Sequence, residues 1–316
     1  MTIKKIFVTG ATGFIGRHLV HRLQDEGYSV GALVRPSSIS QKTGRIKGVS
    51  YFHGDIRNYE EIKTAFSVFE PDAIIHLVTY YVVLHRADEI GVMIDTNVKG
   101  TINLLEAAKE SGEVQLFINT SSTQVYAQKK RRLKEEDTIK PQSLYAVTKL
   151  HAEEACSYYA DVFQLPCVTL RLFPPYGPGD HEQRLIPYVI GSILKNIPPN
   201  LTTGKQEWDF VYVDDIVNAY LAVIKSYPFK DDHAIFNIGT GEAVSIRSLV
   251  EKIRGNIGSD IDLPWGSVAH RANEAWYNSA DIAKAQTVLH WAPETGIDEG
   301  IHKTVAWFKD YFQKDR

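Results

Sequence analysis

The stretch Lys5-Ile6-Phe7-Val8-Thr9-Gly10-Ala11-Thr12-Gly13-Phe14-Ile15-Gly16 decides the fold. Lys5 to Thr9 reads as a short buried strand. Ile15 to Glu26 reads as a helix. The turn between them has the spacing G-x-x-G-x-x-G. Glycines at such a turn let the backbone bend tightly and approach a pyrophosphate, and the helix N-terminus offers that anion free N–H groups and a partial positive charge. A strand before the turn and a helix after it are the context a dinucleotide site needs. Gly10, Thr12, Gly13, Phe14, Ile15 and Gly16 are therefore its candidates.

Outward from this turn, short apolar runs alternate with helical patterns. Strands are expected at Ser29 to Val34, Val49 to His53, Ala73 to Leu77, Gln115 to Thr120 and Cys167 to Leu172. Helices are expected at Tyr59 to Phe69, Met93 to Ser111 and Tyr145 to Phe163. Strands alternating with helices of a dozen residues mean βαβ units. Right-handed crossovers then build a doubly wound parallel α/β sheet, with ligand at the carboxyl ends of its strands. Leu77, at one such end, joins the cofactor candidates.

The pattern changes at Pro174-Pro175-Tyr176-Gly177-Pro178-Gly179, a cluster of breakers. Beyond it the sequence predicts a helix from Leu185 to Leu194, a polar turn from Thr202 to Gln206 and a strand from Asp209 to Val213. A helix from Asp215 to Ser226, a strand from Ala234 to Ile238 and a helix from Ser245 to Asn256, N-capped by Ser245, come next. The tail from Asp281 reads as helical.

The chain has 316 residues, 44% hydrophobic and 23% charged, ordinary for a globular protein with a large core. Thirty-five Lys and Arg against 38 Asp and Glu give a net charge of -3, so no general attraction to nucleic acid or to an anionic membrane is expected. Cys156 and Cys167 are too few for a disulfide framework and form no C-x-x-C pair, so no metal site is expected and both thiols are read as reduced and buried. The N-terminus shows no signal-peptide pattern, and no run approaches the roughly 20 apolar residues of a membrane span. A soluble, cytoplasmic protein is the expectation. Lys129-Lys130-Arg131-Arg132 reads as a solvated loop.

The end of the second strand bears on cofactor choice. An acidic residue there binds the adenosine ribose and repels a 2′-phosphate. Here the run is Leu33-Val34-Arg35-Pro36-Ser37-Ser38, without a carboxylate. Arg35 can pair with a 2′-phosphate while Ser37 and Ser38 donate to it. NADP(H) is favoured, with NAD(H) as the alternative. Asp55-Ile56 follows the third strand, where the carboxylate either accepts from an adenine amino group or caps a helix.

Two features bear on the reaction. Ser121-Ser122 stands at a strand end, at the carboxyl edge of the sheet. Tyr145 and Lys149 lie at i and i+4 at the start of the long helix, on one face. A lysine ammonium beside a phenol favours the phenolate, so Tyr145 is suited to exchange a proton with a carbonyl or alcohol oxygen during hydride transfer.

These motifs resemble those of the extended short-chain dehydrogenases/reductases, in the nucleotide-sugar epimerase/dehydratase branch. The likeness runs through nearly the whole chain. It includes Asn97-Val98-Lys99-Gly100-Thr101, Ser121-Ser122-Thr123-Gln124-Val125-Tyr126, Tyr145-Ala146-Val147-Thr148-Lys149, Tyr176-Gly177-Pro178-Gly179, Asp209-Phe210-Val211-Tyr212-Val213-Asp214-Asp215 and Phe236-Asn237-Ile238-Gly239-Thr240-Gly241. The resemblance implies that Tyr145 is the acid/base. Lys149 then holds the nicotinamide ribose and tunes Tyr145. Ser122 hydrogen-bonds the reacting oxygen, and Asn97 supports the site. It further implies a nucleotide-diphosphate sugar as substrate, bound between the cofactor domain and a smaller C-terminal domain. A homodimer through a four-helix interface of residues 96–111 and 145–163 is also implied.

Departures narrow the chemistry that the resemblance implies. The 4,6-dehydratases carry Asp-Glu where this chain has Thr123-Gln124, and neither Thr nor Gln is an acid or base near neutral pH. Gln124 also argues against the decarboxylases and against the epimerase/reductases that use a cysteine there. Reduction of an NDP-4-keto-6-deoxyhexose by NADPH, in deoxysugar and polysaccharide precursor synthesis, is the leading expectation. An NDP-sugar 4-epimerase with tightly held NAD is the alternative, and a non-catalytic dinucleotide sensor is the alternative from another class. Substrate contacts are expected at Thr123, Gln124, Arg184, Lys205, Trp208 and Arg271. Arg271 resembles the family's late diphosphate arginine, and Arg184 stands against a surface role. Pro174 replaces the family's asparagine and Trp208 its arginine, where a tryptophan either stacks on the substrate or packs in the core. The expected domains are 1–174 with 212–241 for the dinucleotide, and 175–211 with 242–316 for the substrate.

Overall fold

The computed structural model describes residues 2–35, 44–82, 84–230, 233–271 and 274–314. Its elements run β1 (Lys5–Thr9), α1 (Phe14–Asp25), β2 (Ser29–Val34), β3 (Ser50–His53), α2 (Tyr59–Phe69), β4 (Ala73–His76), α3 (Ile90–Ile94), α4 (Gly100–Ser111), β5 (Leu116–Ser122), α5 (Leu144–Phe163) and β6 (Cys167–Leu172). They continue with β7 (Pro175–Tyr176), α6 (Leu185–Leu194), β8 (Glu207–Asp209), β9 (Val211–Tyr212), α7 (Val213–Ser226), β10 (His233–Ile238), β11 (Ala243–Ser245), α8 (Ile246–Ile257), β12 (Tyr277–Asn278), α9 (Ala283–Val288) and α10 (Ile297–Lys314).

Seven strands form one sheet in the order β10-β6-β5-β4-β1-β2-β3. The pairs from β6 to β3 are parallel. Read from β3, this is the doubly wound order 3-2-1-4-5-6, extended by β10. The order reverses between β1 and β4, so the switch point lies where Gly10 and Leu77 leave those strands. All of β4 and β6, and all of β1 but Lys5, is buried. Strands covered on both faces need unbroken apolar runs, which is why they were readable. On one face Phe7, Ile74 and Phe117 meet Ile62, Phe66 and Phe69 of α2, Leu104 and Leu105 of α4, and Cys156 and Tyr159 of α5. Both cysteines are free and buried. No described helix is long and apolar enough to cross a membrane.

The chain divides into two compact units: residues 1–127, 138–172 and 217–236 form the first, and residues 128–137, 173–216 and 237–316 the second. Residues 128–137 thus group with the later sequence. Leu133 exchanges backbone hydrogen bonds with Ser279 and Asp281. Lys129 and Arg131, read as solvated, both pair with Asp137, whose carboxyl they hold far below its usual range.

The second unit contains a three-stranded sheet, β11-β8-β12, and the pair β7-β9. The strand expected from Asp209 to Val213 is split at Phe210, so β8 and β9 join different sheets. Asp209, the last residue of β8, is buried. Its carboxylate accepts from Thr240 N (2.8 Å), Thr240 Oγ1 (2.6 Å), Gly241 N (2.8 Å) and Ala280 N (3.0 Å). Asp215 likewise accepts from Glu294 N and Thr295 N. These motif carboxylates tie the unit's loops together. Ser245 caps α8 as expected, accepting from Ser248 N at 3.1 Å.

Candidate active site

The glycine turn is built for an anion. Gly10 has φ +75°, and a Cβ there would stand 3.1 Å from the Leu77 carbonyl carbon and the Val78 nitrogen. A Cβ on Gly16 would stand 2.1 Å from the Gly10 oxygen, so the helix can approach the turn only with glycine there. Gly13 is the N-cap of α1, with no side-chain cap and no acidic residue in the first turn. The helix end therefore offers N–H groups and positive dipole to a ligand rather than to its own side chains. These residues fit the diphosphate of a nicotinamide dinucleotide.

Arg35 is exposed at the end of β2, and its charge helps lower the Asp55 carboxyl, mainly the work of Arg57. Ser37 and Ser38 lie outside the described residues. Asp55 does not cap α2, a task that Asn58 performs. Its carboxylate instead accepts from Arg57 Nε at 2.9 Å and Nη2 at 2.7 Å. Two arginines thus attend one carboxylate beside the ends of β2 and β3. Ile56 is buried, with its Cδ1 2.6 Å from where a Gly100 Cβ would stand. This close approach accounts for the glycine in the Asn97–Thr101 motif.

Strand β5 runs two residues further than expected and delivers Ser121 and Ser122. The two hydroxyls part company. Ser121 donates inward to the buried Glu153 carboxylate. Ser122 Oγ accepts from Gln124 N at 3.2 Å, which leaves its own proton for another acceptor. Thr123 is buried. Gln124 Oε1 accepts from Ser143 Oγ at 3.2 Å, and Ser143 in turn caps α5 by accepting from Ala146 N at 3.1 Å.

That cap starts the helix that carries Tyr145 and Lys149, which are 7% and 3% exposed. Burial lowers the Lys149 ammonium from 10.5 to about 8, while Glu153 one turn further on opposes the shift. Glu153 forms a buried pair with Arg171 at 2.6 Å, and Arg171 also donates to Tyr126 OH at 2.8 Å.

Asn97 sits on a π-helical turn, Asp95–Lys99, between α3 and α4. Its Oδ1 accepts from Tyr80 N at 2.7 Å and Thr79 Oγ1 at 3.3 Å. Its Nδ2 donates to Tyr80 O and to Thr148 Oγ1, both at 3.0 Å. Thr148 Oγ1 in turn donates to Tyr145 O at 2.7 Å. Behind this lies buried His76. Thr101 Oγ1 donates to Asn97 O, so it accepts from His76 Nε2, and Nδ1 is left to accept from Thr9 Oγ1 at 2.7 Å. Burial holds this imidazole neutral, with its value lowered to about 3.

The four remaining candidates belong to the second unit. The turn bearing Lys205 and the segment bearing Arg271 are joined there, because His270 bonds Thr203 Oγ1 at 2.9 Å and Gln206 Nε2 at 3.1 Å. Lys205 and Arg271 are exposed. Trp208, on β8, packs against Phe210 and donates from Nε1 to Ala275 O at 2.6 Å, so its ring edge serves the fold. Arg184 lies at the start of α6, 3.6 Å from Asp180. Arg57, Glu153, Arg171 and His270 were not anticipated. Arg57, two residues past Asp55, was the one with a local signal.

The doubly wound sheet and the glycine turn at its switch point define a dinucleotide-dependent α/β enzyme. More particularly, the chain belongs to the NAD dependent epimerase/dehydratase family, whose model matches residues 6–239. The CDP-abequose synthase of Salmonella typhimurium is 31% identical over 302 residues, covering 94% of this chain and 96% of that protein. The UDP-glucuronate 4-epimerase of Thermodesulfobacterium geofontis is 31% identical over 317 residues, covering 96% and 95%. Among solved structures, the UDP-glucuronic acid 4-epimerase of Bacillus cereus, in complex with UDP-glucuronic acid and NAD, superposes with a TM-score of 0.88 at 27% identity, covering 97% and 99%.

Proposed function

We propose that the protein reduces the 4-keto group of a nucleotide-diphosphate 4-keto-6-deoxyhexose with NADPH. The observation that carries this reading is the engagement of Gln124. Its side chain supports the Ser143 cap. Beside Ser122, Tyr145 and Lys149 it supplies no second acid or base. This set suits hydride and proton exchange at one carbon better than dehydration or epimerisation through a carbanion.

When bound, the nicotinamide supplies the hydride. Residues Gly10 to Gly16, Leu77 and Lys149 hold the dinucleotide, with Arg35 toward the 2′-phosphate. Tyr145 delivers a proton to the oxygen at C4 and regains one from solvent. Ser122 donates its free proton to that same oxygen. Lys149, charged below pH about 8, stabilises the phenolate left on Tyr145. Thr123 and Gln124 border the sugar, and Lys205, Arg271 and Arg184 supply charge for the diphosphate.

A second reading, 4-epimerisation on tightly held NAD, uses the same three residues and is favoured by the UDP-glucuronate 4-epimerases among the relatives. Arg35 supports the first, because exchangeable NADPH suits net reduction. In either case a homodimer is proposed. Ile102 on α4, and Tyr158, Val162 and Phe163 on α5, are exposed apolar residues that a four-helix interface would cover. The test incubates the protein with NADPH or NADH and a panel of these 4-keto sugars, following the reduced-nicotinamide absorbance. Faster loss of NADPH with one of them supports reduction. A co-purifying cofactor with no net consumption supports the epimerase.

A further inference from the structure

We infer that Tyr81 is a positioning residue for the Tyr145 phenol, an aromatic wall that fixes where the acid/base stands. The inference deepens the reading above and rests on Tyr145 being the acid/base.

Four observations carry it. The Tyr81 ring meets the Tyr145 ring edge-on, with centroids 4.8 Å apart and planes at 89°. This is the arrangement that ring quadrupoles favour. Tyr81 is 39% exposed while Tyr145 is 7% exposed, so Tyr81 is the outer ring of the pair. The segment that presents it is fastened at several points. Asn97 takes the backbone N–H of Tyr80, its carbonyl and the Thr79 hydroxyl, and the Tyr80 phenol donates to Glu89 at 3.3 Å. Finally, the same Asn97 bonds Thr148, which bonds Tyr145 O. One side chain therefore registers both the helix that carries Tyr145 and the loop that carries Tyr81.

The consequence follows from geometry. The Tyr81 ring forms the outer side of the place in which the buried Tyr145 ring stands. Removing it opens space on that side into which the phenol can turn about χ1 and χ2. Misplacement of a catalytic group by about 1 Å costs on the order of 100-fold in rate. The Tyr81 phenol itself is not needed for this, since the ring does the holding.

The test compares Tyr81→Ala, Tyr81→Phe and the wild type, with Tyr145→Phe as a control, on whichever nucleotide sugar the wild type turns over. Tyr81→Ala should lower kcat roughly 10- to 100-fold, with the cofactor KM within about twofold, and Tyr81→Phe should restore kcat to within about threefold. Equal kcat in Tyr81→Ala and wild type overturns the inference, as does a parallel rise in cofactor KM. If Tyr145→Phe keeps full activity, it is the reading of Tyr145 that fails instead. A readout without turnover uses 3-fluorotyrosine-labelled protein and ¹⁹F NMR, with the Tyr145 line assigned by its loss in Tyr145→Phe. That line should stay narrow in Tyr81→Phe and broaden or split in Tyr81→Ala. A line unchanged in Tyr81→Ala overturns the positioning role.

Discussion

Ser143 and Gln124, 19 residues apart in sequence, are joined where β5 ends and α5 begins: the Ser143 hydroxyl donates to the Gln124 amide oxygen at 3.2 Å. The same hydroxyl accepts from Ala146 N and so starts the helix on which Tyr145 is the second residue. Ser143→Ala should cost about 1 kcal/mol of stability, the usual value of an N-cap. It should also lower kcat more than it changes cofactor KM, since the first turn carries the phenol. Denaturant midpoints and steady-state kinetics on the same preparation check both halves.

Lys149 sets a conflict between stability and chemistry. Its ammonium is depressed from 10.5 to about 8 by burial, which corresponds to about 3 kcal/mol against the charged form. Below pH 8 both the folded and unfolded states are charged, so the folded state carries the whole cost. Between pH 8 and 10.5 the folded lysine sheds its proton first and the cost fades. Lys149→Met should therefore raise the melting temperature by a few degrees at pH 7, by less at pH 10, and abolish turnover. In the wild type, activity should fall as pH rises past about 8. A melting temperature lowered at pH 7 would contradict this account.

The Glu153–Arg171 pair is deeply buried, with side chains 3% and 4% exposed. Removing one partner leaves an uncompensated charge, so Arg171→Met should destabilise by about 3–5 kcal/mol. Adding Glu153→Leu to it should recover most of that loss, because the desolvation cost disappears with the second charge. Urea unfolding of the single and double variants decides this.

Arg35→Asp should raise the NADPH KM at least tenfold, roughly the worth of a charge-assisted hydrogen bond to a phosphate. NADH has no 2′-phosphate, so its KM should move by less than about threefold. Equal increases for both cofactors would remove Arg35 from any role in choosing between them.

How much was readable in the sequence follows from how each residue is held. The glycine turn, Tyr145 and Lys149 announce themselves through local spacing, and the central strands through unbroken apolar runs. Glu153 and Arg171 carry no such signal, because their partnership crosses from α5 to β6. Asn97 was expected as a support. Its hold on Tyr80 and Thr148 depends on a π-helical turn inside what reads as one continuous helix. Trp208 is open to two readings in sequence, stacking on a substrate or packing in the core, because its indole N–H bond to Ala275 O spans 67 residues and leaves no local mark. Strands β7, β9, β11 and β12 are two or three residues long, too short for any periodicity to mark them in the sequence.

The central claim is net hydride transfer from NADPH to the C4 carbonyl of the sugar. It is tested most directly with NADPH deuterated at the transferring position and the 4-keto-6-deoxyhexose substrate. Mass spectrometry and NMR of the product should show one deuterium, bonded to C4, in step with stoichiometric loss of the reduced cofactor. A 4-keto sugar recovered unreduced, with the deuterium still on unconsumed cofactor, would contradict it.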